Sequence, residues 1–241
     1  MASANAGELF LVQRNRLHPL AAWRALRDLA RSQGKDAFAG VAFLRATEGN
    51  ALRRAFHRFR ASPEGRDVLA RRLELGEHLL DRESLAAMPP DSLGRAFLDF
   101  LSRERIALES VIQLAKSQAY AVASADEYRF AERTHVMHDL WHVVTGYGTD
   151  AAGEVCILAF RSVQMRHVGV WLLTLFGTLT VGRNVGRRPI NAAMREALAR
   201  GRRAAWLYGV PWEAMLPEPL DVVRERLSLP PAQHYPVAGR T

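Results

Sequence analysis

The feature that most limits how this chain can fold is the stretch of residues 135 to 154, HVMHDLWHVVTGYGTDAAGE. Each residue of an α-helix advances by about 100°, so His138, Asp139 and His142 fall within an arc of roughly 100° and can converge on one point. A Gly-Tyr-Gly turn follows, and Glu154 comes soon after it. Two imidazoles and two carboxylates together are a ligand set for a divalent metal. The predicted ligands are His138, Asp139, His142 and Glu154.

The residues around this motif predict two helices joined by a short turn. The first helix has Asp126 as its predicted N-cap and Gly146 as the residue that ends it. The second helix starts after Asp150, another candidate N-cap. A connection of about three to five residues predicts an antiparallel αα-hairpin, which brings the start of the second helix beside the end of the first. Glu154 can then reach His142.

A His-Asp-x-x-His pattern does not by itself require a metal site. Two histidines four residues apart also occur on the exposed face of an ordinary helix. Zinc proteases use His-Glu-x-x-His with glutamate as the general base, but Asp139 is one methylene shorter and no third ligand pattern accompanies it. Phosphohydrolases with a His-Asp pair need further ligands that the sequence does not clearly supply. His135, one turn earlier, is a candidate fifth ligand or neighbour of the ligands, and a solvated histidine is the simpler interpretation.

The rest of the chain predicts one helix after another. Apolar residues recur at three-to-four spacing, and pairs such as Ser62-Pro63 mark helix starts. No run of alternating β-branched residues lies between turn signals, and no repeat or flexible linker divides the chain. We therefore predict an all-α fold, with a single helical domain over residues 1–241, an ordered core at about 18–230 and extended termini. The apolar run 168–181 is shorter than the ~20 residues that span a bilayer, which predicts a buried or interfacial helix.

The charge of the chain narrows the range of partners. The net charge is +8 and only Lys35 and Lys116 are lysines, so arginine carries the positive charge. No nucleic-acid-binding motif is present, so a membrane surface is favoured as a partner and nucleic acid is not expected. The arginines of 183–188 and 202–203 form either a solvated surface or contacts for anionic groups, which are lipid headgroups or the carboxylate of a substrate. Cys156 is the only cysteine and lies in an apolar run, which indicates a buried structural thiol in a reducing compartment.

The motif and its surroundings resemble a known family. HDLWHVVTGYGTDAAGE resembles the His-Asp-x-x-His-x11-Glu signature of the coenzyme Q (ubiquinone) biosynthesis protein 4 family. SPEGRDVLARR and MPPDSLGRAFLDFL are similar to its upstream blocks, and LLTLFGTLTV and ALARGRRAAWLYGVPWEAM are similar to its later blocks. The similarity spans roughly residues 18 to 235. Two departures lie outside the metal motif: Thr178 stands where the family has proline, and Arg200 stands where it has asparagine.

The resemblance implies an all-α fold, a bound divalent metal, peripheral attachment to a membrane and a place among other ubiquinone biosynthesis proteins. It also implies an activity, the C1 oxidative decarboxylation of a polyprenylated 4-hydroxy-3-methoxybenzoate, in which a hydroxyl replaces the carboxyl group. The implied catalytic residues are the metal ligands His138, Asp139, His142 and Glu154. The alternative for the family is a non-catalytic scaffold that binds prenyl lipids and organises the biosynthetic complex.

Several expectations follow from this resemblance. Zinc is the first candidate metal; iron, manganese and cobalt are the alternatives, because zinc cannot change its oxidation state. The apolar run 168–181 is a candidate lining for the prenyl tail or a segment that dips into the membrane. We expect the protein in the bacterial cytoplasm, peripheral to the inner membrane, or on the matrix side of the mitochondrial inner membrane in a eukaryote. Whether the protein forms a homodimer is not decided by the sequence.

Overall fold

The computed structural model describes residues 17–32, 37–110, 112 and 124–235. Within these residues the chain forms helices and no strand, and one isolated antiparallel bridge pairs Ser92 with Pro219. The prediction of an all-α fold is confirmed. A 3-10 helix covers Leu207–Gly209, and the α-helices are α1 (Pro19–Arg31), α2 (Ala37–Ala46), α3 (Ala51–Ala61), α4 (Pro63–Ala70), α5 (Leu75–Leu80), α6 (Arg82–Ala87), α7 (Leu93–Glu104), α8 (Ala125–Thr145), α9 (Ala151–Met165), α10 (Val168–Val185), α11 (Arg187–Arg203), α12 (Trp212–Met215) and α13 (Leu220–Arg226).

Serine and aspartate side chains set many of the helix starts. Ser62 and Ser92 each accept the backbone N–H three residues later, at 3.0 and 3.2 Å, and so cap α4 and α7. Asp150 accepts two N–H groups at the start of α9, as predicted. The predicted cap of α8 was wrong, because the N-cap is Ser124 rather than Asp126, and the Ser124 hydroxyl accepts the N–H of Glu127. Asp126 instead lies in the first turn, where its negative charge suits the positive end of the helix dipole.

Three hydrophobic clusters pack the described helices together. The main core surrounds α8 and contains large, fully buried aromatic side chains such as Trp141, Trp212 and Tyr208. A smaller cluster packs α1 and α2 against α10 through residues that include Phe43 and Leu173. A third, small cluster joins α9, α10 and α11 through Val155, Val181 and Ile190. Helix α9 contributes to the main core, whereas α10 contributes to the second and third clusters. The single-domain organisation stays a prediction.

Helices α8 and α9 differ from the predicted hairpin in how they pack. Their connection, residues 146–150, has the expected length. However, α9 makes its most extensive contacts with α11 and α10, whereas α8 packs against α7, α5, α3 and α13. The two helices therefore do not lie closely side by side along their lengths. The reason is that apolar residues occur all round α8, so other helices cover most of its surface.

Helix α10 is longer than the apolar run that predicts it, and one face of it is exposed among the described residues. It has 18 residues and, within the described part of the chain, is the one helix long and apolar enough to cross a membrane by length and composition; about 33% of it is buried within the protein. Six large apolar side chains are exposed on it: Val168, Trp171, Leu172, Leu175, Leu179 and, at its last residue, Val185. The other side packs on α9 and α11.

The first residues after Pro230 are held to the rest of the protein by hydrogen bonds, and the extended form predicted for the terminus stays a prediction. The backbone N–H groups of Gln233 and His234 donate to the Glu196 carboxylate, both at 2.7 Å. The Tyr235 hydroxyl donates to Asp150 and accepts the N–H of Gly148. The remaining terminal residues, 1–16 and 236–241, lie outside the described residues.

Candidate functional site

Three of the four predicted ligands come together at the junction of α8 and α9. The Nε2 atoms of His138 and His142 are 3.2 Å apart. The Glu154 carboxylate lies 3.4 Å from Nε2 of His142 and 3.7 Å from Nε2 of His138. These donor atoms form a group that could hold a metal ion. The spacing of four residues on α8 and the position of Glu154 one turn into α9 account for the convergence.

Glycines in the connection let the start of α9 fold back on this site. Gly146 has φ +76°, the left-handed conformation that ends α8 and that glycine adopts without strain. A Cβ atom on Gly153 would lie 2.0 Å from the Gly148 carbonyl oxygen. Only glycine at position 153 therefore allows the connection to pass so close to the first turn of α9, which carries Glu154.

The orientation of His142 follows from its hydrogen bond to the connection. Its Nδ1 lies 3.1 Å from the Tyr147 carbonyl oxygen, which can only accept, so Nδ1 carries the proton. The lone pair of Nε2 in the neutral ring is then directed at His138 and Glu154, which is the tautomer that a metal requires. The Phe100 ring stacks on the imidazole with 5.7 Å between centroids and fixes its plane.

The pKa values of the three donors follow from burial and from their contacts. Burial lowers the pKa of His138 to about 4. Burial also opposes a charge on His142, but the adjacent Glu154 carboxylate outweighs it and raises the pKa of that imidazole. Burial favours the neutral acid at Glu154, yet the hydrogen bond with His142 lowers the pKa of its carboxyl. The site therefore holds neutral His138 beside an anionic carboxylate near neutral pH.

Asp139 lies beside this group rather than in it. Its side chain is buried, and its Oδ2 has no hydrogen-bond partner among the described residues. Burial raises the pKa of Asp139 to about 6, and the nearby Glu154 charge adds to the increase. A buried carboxylate oxygen without a donor is costly to keep charged, and a cation nearby would offset that cost.

His135 is not the solvated histidine that the simpler interpretation predicts. It is partly buried, its Nδ1 lies 3.2 Å from the Ala131 carbonyl oxygen, and burial lowers its pKa to about 4. It does not belong to the group of His138, His142 and Glu154. Cys156 is fully buried, as predicted, and burial raises its pKa to about 12.

Two arginines that the sequence patterns do not single out for the site hold the end of α8. Arg224 donates to the carbonyl oxygens of Val143 and Val144, at 2.8 and 3.0 Å. Arg200 donates to the carbonyl oxygen of Thr145 at 2.8 Å. Arg224 lies on α13, 81 residues from Val143, and Arg200 lies on α11, 55 residues from Thr145. No local sequence signal therefore predicts these contacts.

The distances between donors fit a divalent cation. Tetrahedral ligands that are each 2.0–2.1 Å from one ion are about 3.3 Å apart, and octahedral ligands are about 3 Å apart. The two imidazole nitrogens are 3.2 Å apart, and they lie 3.4 and 3.7 Å from the two different oxygens of the Glu154 carboxylate. Imidazole nitrogen with carboxylate oxygen suits zinc, iron, manganese or cobalt, so the donor set does not choose among them.

Comparison with known proteins identifies the family of this chain. The family described as "Coenzyme Q (ubiquinone) biosynthesis protein Coq4" matches residues 8–233. This chain belongs to the Coq4 family. The role of the chain is therefore in ubiquinone biosynthesis, and the family resemblance of the motif is confirmed.

Relatives of this Coq4 chain occur in animals and fungi. It is 27% identical over 196 residues to the rat ubiquinone biosynthesis protein COQ4 homolog, a mitochondrial protein, covering 80% of this chain and 72% of the relative. The mitochondrial homolog from Schizosaccharomyces japonicus is 27% identical over 178 residues, covering 74% and 72%. A crystal structure of a protein from Nostoc punctiforme, described as belonging to ubiquinone biosynthesis, superposes with a TM-score of 0.64 at 18% identity, covering 89% of this chain and 99% of that one, and shows the same fold.

Proposed function

We propose that this chain catalyses a metal-dependent C1 oxidative decarboxylation of a polyprenylated 4-hydroxy-3-methoxybenzoate. The carboxyl group leaves as carbon dioxide and a hydroxyl takes its place. With dioxygen as the two-electron oxidant, one substrate, one dioxygen and one water would give the hydroxylated product, one carbon dioxide and one hydrogen peroxide. The observation that carries the proposal is the donor group of His138, His142 and Glu154, whose spacing fits one divalent cation. Membership of the Coq4 family supports a role in ubiquinone biosynthesis, and the donor group supports a metal-dependent reaction.

The exposure of the donors favours a catalytic site over a purely structural one. The side chain of His142 is 1% exposed, but those of His138 and Glu154 are 32% and 41% exposed. A structural metal site is closed by protein ligands, whereas a catalytic site keeps a position open to water or substrate. One side of this site is therefore accessible to a substrate.

Each residue has a defined part in the proposal. His138, His142 and Glu154 would hold the metal, and Asp139, with its unpartnered buried oxygen, would complete the site as ligand or charge partner. The bound metal would supply a Lewis acid that polarises a carboxylate or phenolate oxygen of the substrate. Tyr147 keeps His142 in the tautomer that directs Nε2 at the site. The proposed metal is zinc, iron, manganese or cobalt.

Turnover with different metals tests this activity. The purified chain would be loaded in turn with zinc, iron, manganese and cobalt and given a short-tailed prenyl 4-hydroxy-3-methoxybenzoate in air. We expect the decarboxylated, hydroxylated product with at least one metal. His142→Ala should abolish it, whereas His57→Ala, at an exposed histidine of α3, should leave it unchanged.

Two results would count against the enzyme. Absence of product with every metal, together with tight binding of the prenyl lipid, would support the scaffold function instead. Full turnover by His142→Ala would show that the donor group is not the catalytic site.

The exposed face of α10 supports a second proposal, attachment to the surface of an anionic bilayer. At 100° per residue, Val168, Trp171, Leu172, Leu175 and Leu179 fall within an arc of roughly 100°, opposite the buried face of α10. Large exposed apolar patches mark sites of protein or membrane contact. A helix with one such face can lie in the plane of the membrane surface.

The charge around α10 favours a lipid surface as the partner. Residues 155–195 contain six arginines and no aspartate or glutamate. Arg166 lies exposed just before α10, and Arg183, Arg187 and Arg188 lie exposed at or beyond its end. Basic side chains at the edges of an apolar face bind anionic headgroups, each contributing on the order of 1 kcal/mol.

Vesicle sedimentation tests this surface. We expect binding to vesicles that contain phosphatidylglycerol, weak binding to pure phosphatidylcholine, and loss of binding in Leu175→Glu. Val222→Glu, which places the same charge at an exposed apolar residue of α13, is the control. If Leu175→Glu instead converted a dimer into a monomer and left vesicle binding unchanged, a second copy of the chain would be the partner of this face.

A further inference from the structure

The C-terminal end of α8 has a complete set of hydrogen-bond partners. The last four carbonyl groups of any helix lack partners within the helix. In α8 the His142 carbonyl accepts the N–H of Gly146 at 2.9 Å. The next three carbonyls, those of Val143, Val144 and Thr145, accept from the two arginines described above. Two cations thus stand at the negative end of the helix that carries the proposed ligands.

Arg200 is the more deeply buried of these arginines. Its side chain is 1% exposed, and its Nη2 bridges the carbonyl oxygens of Thr145 and Pro230, at 2.8 and 2.7 Å. Its guanidinium carbon lies 4.9 Å from the centre of the Tyr147 ring. Arg200 therefore contacts the connection on both sides of Gly146 and ties it to the segment that follows α13.

These contacts lead directly to a proposed metal ligand. The Tyr147 carbonyl fixes the proton on Nδ1 of His142, and the positions of Thr145 and Tyr147 set where that carbonyl lies. Arg200 donates to the backbone carbonyl of Thr145 and lies over the ring of Tyr147. Movement of Tyr147 would let His142 rotate or change tautomer, and Nε2 would no longer face His138 and Glu154.

We propose that Arg200 is a positioning residue for His142, which it keeps in the orientation and tautomer needed for metal binding. The part concerning metal rests on the proposed function, whereas the part concerning the tautomer stands on the hydrogen bonds alone. Lysine should replace it poorly, because one ammonium group cannot bridge two carbonyls and also cover a ring as a planar guanidinium does.

Nitrogen-15 NMR of the metal-free protein tests the tautomer. At a pH where the ring is neutral and at a temperature below the onset of unfolding, we expect the wild type to carry the His142 proton on Nδ1. Arg200→Met should show a mixture of tautomers. Arg202→Met, an exposed arginine on the same helix, is the matched control and should behave as the wild type.

Cobalt(II) titration followed by visible absorption tests the metal part. Groups that orient a metal ligand typically contribute about 10- to 100-fold in affinity. We expect that loss in Arg200→Met, with a changed cobalt spectrum, and a smaller loss in Arg200→Lys. If Arg200→Met does not fold, the NMR and cobalt measurements can both be made on Arg200→Lys, which keeps the charge and roughly the length of the side chain.

The outcomes separate this inference from the proposed function. Wild-type tautomer and wild-type cobalt affinity in a folded Arg200 variant would overturn the positioning role, whatever the activity of the protein. A wild type that binds cobalt but yields no product would count against the enzyme only. If the wild type bound no cobalt, the proposed metal site would be refuted. The tautomer measurement would then decide whether Arg200 orients His142.

Discussion

His167 caps the start of α10 through an interaction that requires a neutral ring. Its Nδ1 accepts the N–H groups of Gly169 and Val170, at 3.0 and 3.4 Å, and the side chain is buried. A protonated imidazole has no acceptor, so it cannot make this cap. We predict that acid destabilises the protein in part through this one residue.

The size of the effect follows from the pKa. Burial lowers the pKa of His167 to about 4 from the ordinary 6.5. Below pH 6.5 the unfolded chain therefore binds a proton that the folded protein does not bind until about pH 4. With respect to His167, the free energy of unfolding has its full value above pH 6.5 and falls as the pH is lowered through this window. The loss is about 2 kcal/mol at pH 5 and about 3 kcal/mol at pH 4.

Urea unfolding at pH 8, 7, 6 and 5 measures this loss. His135 and His138 also have pKa values lowered to about 4, so the total loss in the wild type is larger than the part from His167. Comparison with His167→Asn isolates that part, because the asparagine oxygen can accept the same N–H groups and does not titrate. The free energy of unfolding should fall between pH 8 and 5 by about 2 kcal/mol less in this variant than in the wild type.

Parallel pH curves for wild type and His167→Asn would refute the reasoning, whatever the absolute stability of the variant. His57→Asn, at an exposed histidine, should follow the wild-type curve and controls for the loss of an imidazole.

Two further predictions concern the neighbourhood of the site, and a third concerns a buried ion pair between α8 and α12. Gly153→Ala should reduce stability by about 1–3 kcal/mol in urea unfolding and weaken metal binding, because its Cβ would overlap the Gly148 carbonyl, whereas Gly40→Ala has open space and should not destabilise. Glu154→Gln should weaken cobalt binding by more than about 10-fold, and an NMR titration should show a lower pKa for His142, whose carboxylate partner is gone. Arg133→Met should cost about 3–5 kcal/mol of unfolding free energy, because it leaves Glu213 buried without its partner; a loss below 1 kcal/mol would contradict this.

Local sequence predicts the parts of the site that local geometry determines. The spacing of His138 and His142 fixes their common face, and Asp150 marks the start of α9, so Glu154 could be placed near them. Asp139 shows the limit of this reasoning. Periodicity places it on the same side of α8, but whether its carboxylate enters the donor group depends on side-chain rotamers and packing, and the structure leaves it beside that group.

The orientation of the ligands depends on contacts that no local pattern contains. The last carbonyls of α8 need donors, and a sequence can show that need but not which side chain meets it. Arginines are spread throughout this chain, and those of 202–203 are exposed while Arg200, immediately before Gly201, is buried against Thr145. The difference is set by how α11 packs on α9, where Gly201 allows close approach to the Phe160 backbone. The same packing that buries Gly201 places Arg200 at the end of α8, so the positioning role that we propose for Arg200 depends on a helix contact remote from the motif.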